Sequence, residues 1–268
     1  MSLSPTVTAI VVSYHTGPRL KECLFALRND PDISEVIIVD NGNPPDMSAW
    51  IDGLAEANAR LHVIRDGTNP GFGTAVNKGA DGALGEYILV INPDAVLRIG
   101  SIPYLLEAAS ALPQPAVVGG KIFGIDGAEE RGGRRKTLTL LRAMGLAKWT
   151  LEGEPLPEAA IPVGAISGAF FLMQRRAFRA MGGFDEAYFL HFEDVDLCRR
   201  ALEAGGSVVY EPRAGALHYS STSDVPSAFV EDCKAVSLGR YLKKFARGPL
   251  EKTAVAVLTP FIDRKSVV

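Results

Sequence analysis

The segment His191 to Leu197, HFEDVDL, places three carboxylates within four positions at what reads as the start of a helix. Acids in a first helical turn complement the positive end of the helix dipole, and that alone accounts for Asp196. Glu193 and Asp194 are adjacent, so their side chains leave the helix in different directions. One can face a crevice as a general base while the other positions a substrate. Asn92-Pro93-Asp94 is a second candidate, because a carboxylate fixed at the end of a buried run can hold a hard divalent cation that bridges diphosphate oxygens. Asn-Pro also opens ordinary turns. His218 follows Asp194 by 24 residues and is a candidate second metal ligand, although a lone histidine is as readily structural. In NPGFGTAVNKG, Asn69 to Gly79, small residues and Asn77 sit where a loop enters a helix. Backbone amides there can approach a ribose or phosphate closely, or can simply form a glycine-rich turn and cap.

The elements that must position these groups alternate from Val7 to Ile122. Short β-branched runs, TAIVVS (Thr8 to Ser13), EVIIVD (Glu35 to Asp40), LHVIR (Leu61 to Arg65), EYILVIN (Glu86 to Asn92) and AVVGGKI (Ala116 to Ile122), are separated by segments of helical periodicity. Leu20, Cys23, Leu24 and Leu27 form one such helical face; Ile102, Leu105, Leu106 and Ala109 form another. This is the pattern of an α/β fold with a mostly parallel sheet, its strands fully buried under helices on both faces. Polarity returns at Ser13-Tyr14-His15, Asp40-Asn41, Arg65-Asp66 and Asn92-Pro93-Asp94, all at carboxyl ends of strands. In open α/β sheets that edge is the ligand crevice, so separate segments can converge on one site.

The pattern changes after Ile122. Gly124 to Pro162 is rich in Gly, Pro and charge, with a short helical candidate at Leu138 to Trp149, and reads as a mobile lid. A strand at Ser167 to Met173, a short helix at Arg175 to Met181, a helix carrying Val195, Cys198 and Leu202 and ending at Gly205-Gly206, and two strands, SVVYEP and GALHY, follow. Helices are expected over Val225 to Phe245 and Leu250 to Leu258.

With 268 residues, 47% hydrophobic and 22% charged, the chain has an ordinary globular composition, and its net charge of −3 supplies no global attraction to nucleic acid. Cys23, Cys198 and Cys233 are too few and too scattered for a disulfide framework or a cysteine-rich zinc site, which fits a reducing compartment. No secretory signal or membrane span is read: the apolar stretch from Thr253 to Ile262 is about half the roughly 20 residues a span needs. Neither a dinucleotide fingerprint nor a P-loop follows the first strand. Two basic clusters, Arg131 to Lys136 and Lys243 to Arg247, are read as solvated faces that could also meet phosphate or an anionic membrane.

Taken in order, TAIVVSYH, EVIIVDNGN, NPGFGTAVNKG, ILVINPDA, SGAFFLMQRRAF, GGFDEAYFLHFEDVDLCRRA and a later LHY resemble the inverting family 2 glycosyltransferases, and within them bacterial rhamnosyltransferases of cell-surface polysaccharide. The match runs over roughly residues 7 to 220. It implies a glycosyltransferase A-type fold with a nucleotide-sugar-binding half (1–123), the lid (124–162), an acceptor-binding and catalytic half (163–224) and a C-terminal helical segment (225–268). By the resemblance, Ser13, Tyr14, Asp40 and Asn41 surround the donor's base and ribose, Gly71, Phe72 and Asn77 line the same pocket, and Asn92, Pro93 and Asp94 meet the diphosphate. Asp94, helped by His218, would hold Mg²⁺ or Mn²⁺. Asp194 would be the catalytic base with Glu193 orienting the acceptor, and Gly168, Phe184 and Asp185 would shape the acceptor side. Asn92 stands where the family's metal motif has its first Asp, which leaves one carboxylate there.

The expected donor is dTDP-rhamnose, with a UDP-sugar as the nearest alternative. The expected acceptor is a glycan or lipid-linked saccharide, at a cytoplasmic location with peripheral contact to the inner face of the plasma membrane. A nucleotidyltransferase would need a glycine-rich basic loop that SYHTGPRL lacks. A non-catalytic nucleotide-sugar binder would not need both Asp94 and Asp194.

Overall fold

The structure, a computed structural model, describes residues 5–220 and 225–259. Its first strands are β1 (Val7–Ser13), β2 (Glu35–Asp40), β3 (Leu61–Ile64), β4 (Tyr87–Ile91), β5 (Ala95–Leu97) and β6 (Ala116–Phe123); β7 (Arg134–Arg135), β8 (Ile161–Pro162), β9 (Ala165–Ile166), β10 (Phe170–Gln174) and β11 (Ser207–His218) follow. One nine-stranded sheet has the order β3-β2-β1-β4-β10-β6-β11-β5, with β8 also paired to β11. β3, β2, β1 and β4 are parallel, as are β6 and β11, whereas β10 runs antiparallel between β4 and β6. β7 and β9 form a separate antiparallel pair.

Period-two alternation of the β-branched residues decides which face each strand residue covers. Ile10, Val12, Ile37, Val39, Ile88 and Val90 enter one core with α3 (Phe72–Gly82), α6 (Arg175–Ala180), α7 (Glu193–Glu203), α8 (Ser227–Phe245) and α9 (Gly248–Leu258). Val7, Ala9, Val11, Val36, Ile38 and Leu89 enter the other, beneath α1 (Arg19–Asn29), α2 (Pro45–Glu56) and α4 (Ser101–Ser110). The helical faces of α1 and α4 bury the residues their spacing selects, with Leu106 only partly covered.

Four expectations are corrected. β3 is only half-buried, because it is the edge strand with one neighbour. The helix expected over Leu138 to Trp149 is a single turn, α5 (Leu140–Ala143), which Thr139 opens and Gly145 ends with a positive φ. SVVYEP and GALHY are one strand, not two: β11 carries a bulge between Glu211 and Gly215 and stays paired with β6 on both sides of it. The strand expected from Ser167 begins only at Phe170, and Ser167 to Ala169 form a loop instead.

The segment from Gly124 to Pro162 packs inward. β7 pairs with β9, and Leu138, Ala143, Trp149 and Leu151 are buried. Residues after 163 also enter the main sheet as β10 and β11, so the segments before 124 and after 162 share one sheet.

The bulge in β11 is held by Ser101, whose hydroxyl accepts from the Gly215 amide at 3.0 Å and donates to its carbonyl at 3.2 Å. It shifts the strand end so that Ala216, Leu217 and His218 align with Leu97, Val96 and Ala95 of β5. Ser101→Ala removes the hydroxyl that holds the buried Gly215 amide, while the carbonyl keeps the Arg98 amide at 3.0 Å, and we expect a loss of about 1–3 kcal/mol in urea unfolding. An unchanged unfolding midpoint would show that the bulge holds without it.

Candidate active site

The carboxyl edges of β1, β2 and β4 open on a cavity of 1170 Å³ whose opposite wall is built by the loop before β10, the start of α7 and the first turns of α8. Tyr14, Asn41, Gly71, Phe72, Asn92, Pro93 and Asp94 line one side; Gly168, Glu193 and Asp194 line the other, with His218 between. The structure therefore gathers most of the sequence-selected residues around one space. Ser13, Asp40, Asn77, Phe184 and Asp185 are not part of its lining.

Those five act behind the wall. Asp40 is buried: one carboxylate oxygen accepts from the amides of Gly42 and Asn43 at 3.1 and 2.9 Å, the other from Ser48 and Arg65 at 2.8 Å each. Burial pushes this carboxyl up, but the Asn43, Ser48, Arg65 and Gly42 hydrogen bonds outweigh it and hold it at about 2. Ser13 donates to the Asn43 side chain at 3.1 Å. Asn77 clamps the Phe184 backbone in both directions, donating to its carbonyl at 2.9 Å and accepting from its amide at 2.8 Å. Phe184 is buried among Phe72, Phe171 and Phe178, and Asp185 accepts from Lys244 at 2.6 Å. The polar side chains among them are engaged within the protein, and none of the five lines the cavity.

Gly71 shows why a glycine stands there. Its φ is +93°, and a Cβ would lie 2.4 Å from the Phe189 carbonyl oxygen, which itself accepts from the Phe72 amide at 3.0 Å. This close approach joins the start of α3 to the loop that carries the acidic segment.

At the strand edge, the turn Asn92-Pro93-Asp94 leads straight into β5, and pairing of Ala95 with His218 brings the imidazole to Asp94. His218 Nε2 lies 3.1 Å from Asp94 Oδ1, and Nδ1 lies 2.9 Å from Glu130. Burial lowers the imidazole's affinity for a proton, yet hydrogen bonds and charge from Asp94 and Glu130 raise its pKa to about 9. A carboxylate and an imidazole 3.1 Å apart, with a second carboxylate behind the ring, suit a divalent cation with nitrogen and oxygen ligands. Among the described residues, no group of three or more His, Cys, Asp or Glu is assembled to hold an ion. A cation here would need further ligands from a bound diphosphate, and His218 would have to give up its Nε2 proton.

Across the cavity, Asp194 is held on every side. Its Oδ2 accepts from Arg135 at 2.6 Å and from the Gly168 amide at 2.9 Å, and its Oδ1 from the Val195 amide at 2.7 Å. Burial raises its pKa, but the charge and hydrogen bond of Arg135, with the two amides, bring it below the ordinary carboxyl value. Glu193 is pushed the other way, first by burial and then by the charge of Asp194, and its Oε2 has no hydrogen-bond partner among the described residues. The neighbouring acids therefore differ: Asp194 is held as the carboxylate and Glu193 is pushed toward the protonated acid. Asp196 belongs to the structure, paired with Arg200 at 2.5 Å and Lys244 at 2.6 Å.

Sequence reasoning missed Arg135 and Glu130. Both come from the segment read as a lid, and Arg135 from a basic cluster read as a solvated face. That reading is corrected for Arg134 and Arg135: both are buried, Arg134 on Glu129 and Arg135 on Asp194. Two arginines in β7 alternate sides of a strand, so one reaches each acid.

Residues 8–182 match the sequence profile of Glycosyl transferase family 2. The chain belongs to this family. This family 2 enzyme is 31% identical over 248 residues to an N-acetylglucosaminyl-diphospho-decaprenol L-rhamnosyltransferase of Mycobacterium tuberculosis, with 82% of this chain and 78% of the relative covered. It is 25% identical to the Escherichia coli rhamnosyltransferase WbbL over 226 residues, covering 80% of this chain and 83% of the relative. Its fold matches a structure of GalNAc-T7 with UDP, GalNAc and Mn²⁺ (TM-score 0.66, 15% identity), covering 96% of this glycosyltransferase and 54% of that chain. It also matches the mannosyltransferase PcManGT of Pyrobaculum calidifontis with GDP-Man and Mn²⁺ (TM-score 0.64, 15% identity; 99% and 73% covered). The expected glycosyltransferase A-type fold is therefore borne out.

Two measurements follow from the charged groups. Because the Asp40 pKa is depressed on folding, its stabilisation is present above the ordinary carboxyl range and fades as pH falls through about 2. Asp40→Asn is expected to lose about 2–3 kcal/mol at neutral pH, with the gap to wild type narrowing in acid. Arg135→Gln should raise the Asp194 pKa in carboxyl ¹³C NMR, because burial then acts against a charge without its guanidinium; an unmoved titration would show that the two amides suffice.

Proposed function

We propose that this enzyme is an inverting transferase that moves rhamnose from dTDP-rhamnose to a hydroxyl of a lipid-linked bacterial saccharide. The observation that carries the reading is the placement of an ionised Asp194 and the Asp94–His218 pair around one cavity. The rhamnosyltransferases of M. tuberculosis and E. coli among its relatives support the sugar, and the former's name supports a diphospholipid acceptor.

In this reading Tyr14 and Asn41 face the donor's base and ribose, with Gly71 and Phe72 closing that side, while Asn92, Pro93 and Asp94 face the diphosphate. Ser13, Asp40 and Asn77 keep those walls in place. Asp94 and His218 would hold Mg²⁺ or Mn²⁺, which when bound offsets the charge of the departing nucleoside diphosphate. Asp194 takes the acceptor hydroxyl proton as that oxygen bonds to the anomeric carbon, and the breaking bond leaves its electron pair on the diphosphate. Attack from the face opposite the leaving group inverts the centre. Arg135 keeps Asp194 ionised, and protonated Glu193 can donate a hydrogen bond to the acceptor. The segment 124–162 supplies Arg135 and closes the cavity from water.

No helix among the described residues is long and apolar enough to cross a membrane, and the proposed setting is the cytoplasmic face, where a lipid-linked acceptor is reached peripherally. Lys244 and Arg247 of the second basic cluster are engaged by Asp185, Asp196 and Glu203, which leaves Lys243 as its exposed cation without an ion pair among the described residues.

The test is nucleoside-diphosphate release from dTDP- and UDP-sugars with and without Mg²⁺ or Mn²⁺, alongside calorimetric nucleotide binding. Metal-dependent release from dTDP-rhamnose, lost at least about a hundredfold in Asp194→Asn with nucleotide affinity kept and weakened in both respects by Asp94→Asn, is expected. Release from a UDP-sugar alone would change the donor. Binding with no turnover on any donor or acceptor would identify a non-catalytic binder.

A further inference from the structure

The two residues expected to shape the acceptor side, Phe184 and Asp185, do not line the cavity, so an acceptor must meet other groups. Beyond Asp194 the cavity ends on a different set: Phe189, His191, Phe229, Glu231 and Lys234. Phe189 and Phe229 meet edge to face, with centroids 5.9 Å apart at 83°, yet remain 38% and 45% exposed. Two large aromatics at a cavity mouth leave an apolar platform facing solvent. The platform is braced from both sides, since the Phe189 carbonyl accepts from Phe72 and the Leu190 carbonyl accepts from Ser237 of α8 at 3.0 Å.

His191 lies between Phe189 and Asp194 in the chain and lines the same cavity. Its φ of 66° and that of Phe192, 69°, put two consecutive non-glycine residues in the left-handed region immediately before α7. Such strain persists where the surroundings impose it, and here it presents the imidazole to the cavity. His191 has no hydrogen bond within the described residues. Burial, with the charge of Lys234, lowers its pKa to about 4, so the ring is neutral near pH 7 and can both donate and accept. Lys234 pairs with Glu231 at 3.1 Å beside it.

We propose that this mouth is the subsite for the acceptor's sugar ring, a pyranose whose apolar C–H face lies on Phe229 while its polar groups meet His191 and the Glu231–Lys234 pair. The assignment rests on the glycosyltransferase reading. A pyranose has one face of C–H groups and a rim of hydroxyls, and an aromatic platform beside a neutral imidazole and a charge pair complements both. The platform and Asp194 line one continuous cavity, so a ring seated on the platform occupies the same space as the base. A hydrocarbon tail would use Phe189 and Phe229 but would leave the polar groups unmatched.

The test is binding to the full chain saturated with dTDP or UDP, read by tryptophan fluorescence and calorimetry. The probes are octyl N-acetyl-β-glucosaminide, octyl glucoside and octyl phosphate, all below their critical micelle concentrations. Wild type is expected to bind both saccharides more tightly than octyl phosphate, Phe229→Ala to weaken the N-acetylglucosaminide roughly tenfold, Phe229→Tyr to restore it, and His191→Phe to erase the preference for either saccharide over octyl phosphate. Nucleotide affinity should be unchanged in Phe229→Ala. Equal binding of the N-acetylglucosaminide to wild type and Phe229→Ala, or equal competition by octyl phosphate, would overturn the subsite while leaving the enzyme reading intact. Nucleotide binding with no saccharide binding would do the same. Failure to bind either nucleotide would overturn both.

Discussion

A carboxylate enclosed by protein stays ionised only when other groups replace the water it has lost, and this requirement organises the cavity. Removing an ion from water costs several kcal/mol even after the surroundings relax. Asp194 meets the cost with one guanidinium and two backbone amides. Each donor imposes a condition elsewhere. Gly168 must approach so closely that a Cβ would stand 3.2 Å from the Asp194 Cβ, and Arg135 must be delivered from a strand nearly sixty positions earlier. The fold of the intervening segment is the means of delivery: β7 pairs with β9, the Arg135 guanidinium lies 5.2 Å from the Trp149 ring, and Trp149 stacks on Phe192.

The same physics has the opposite outcome one residue away. Glu193 has no cation of its own, and the charge on Asp194 discourages a second one beside it, so the lower-cost state is the protonated acid. At the other end of the cavity, His218 is placed between two carboxylates and takes up the proton that makes that cluster less negative. A divalent ion would replace that proton, so the site is prepared for positive charge in either form.

Much of this was legible in the residue pattern. β-branched runs specify β1, β2, β4 and β6 because their side chains are buried on both faces, and polar residues at the strand ends mark the ligand edge because loops close there. Asp94, Asp194, Glu193 and His218 could be selected because each stands at a junction between elements. What the pattern could not show is pairing between distant segments. Arg135 sits in a run of basic residues that locally resembles any solvated surface, and only β7–β9 pairing turns it inward. Asp40 and Asn77 were recognised as unusual but not for their actual partners: a polar residue beside a cavity and one bracing its wall have the same local sequence signature. The single strand β11 escaped for a similar reason, since Glu211-Pro212-Arg213 reads as a break unless β6 is known to run past it.

The position of β10 carries a consequence for how the chain comes to be folded. The strand lies between β4 and β6, although it follows β6 by more than forty residues in the chain. As the polypeptide leaves the ribosome, β1, β2, β3 and β4 can assemble at once from near-neighbour contacts. β6, by contrast, emerges with no place beside β4 to occupy, and its Val117, Val118 and Gly119 wait for Met173, Leu172 and Phe171. An open edge on β4 therefore persists through synthesis of the whole intervening segment, a nascent state exposed to mispairing and to chaperone capture. The interruption that lets one chain build both walls of its cavity also delays closure of the sheet until β10 has been made.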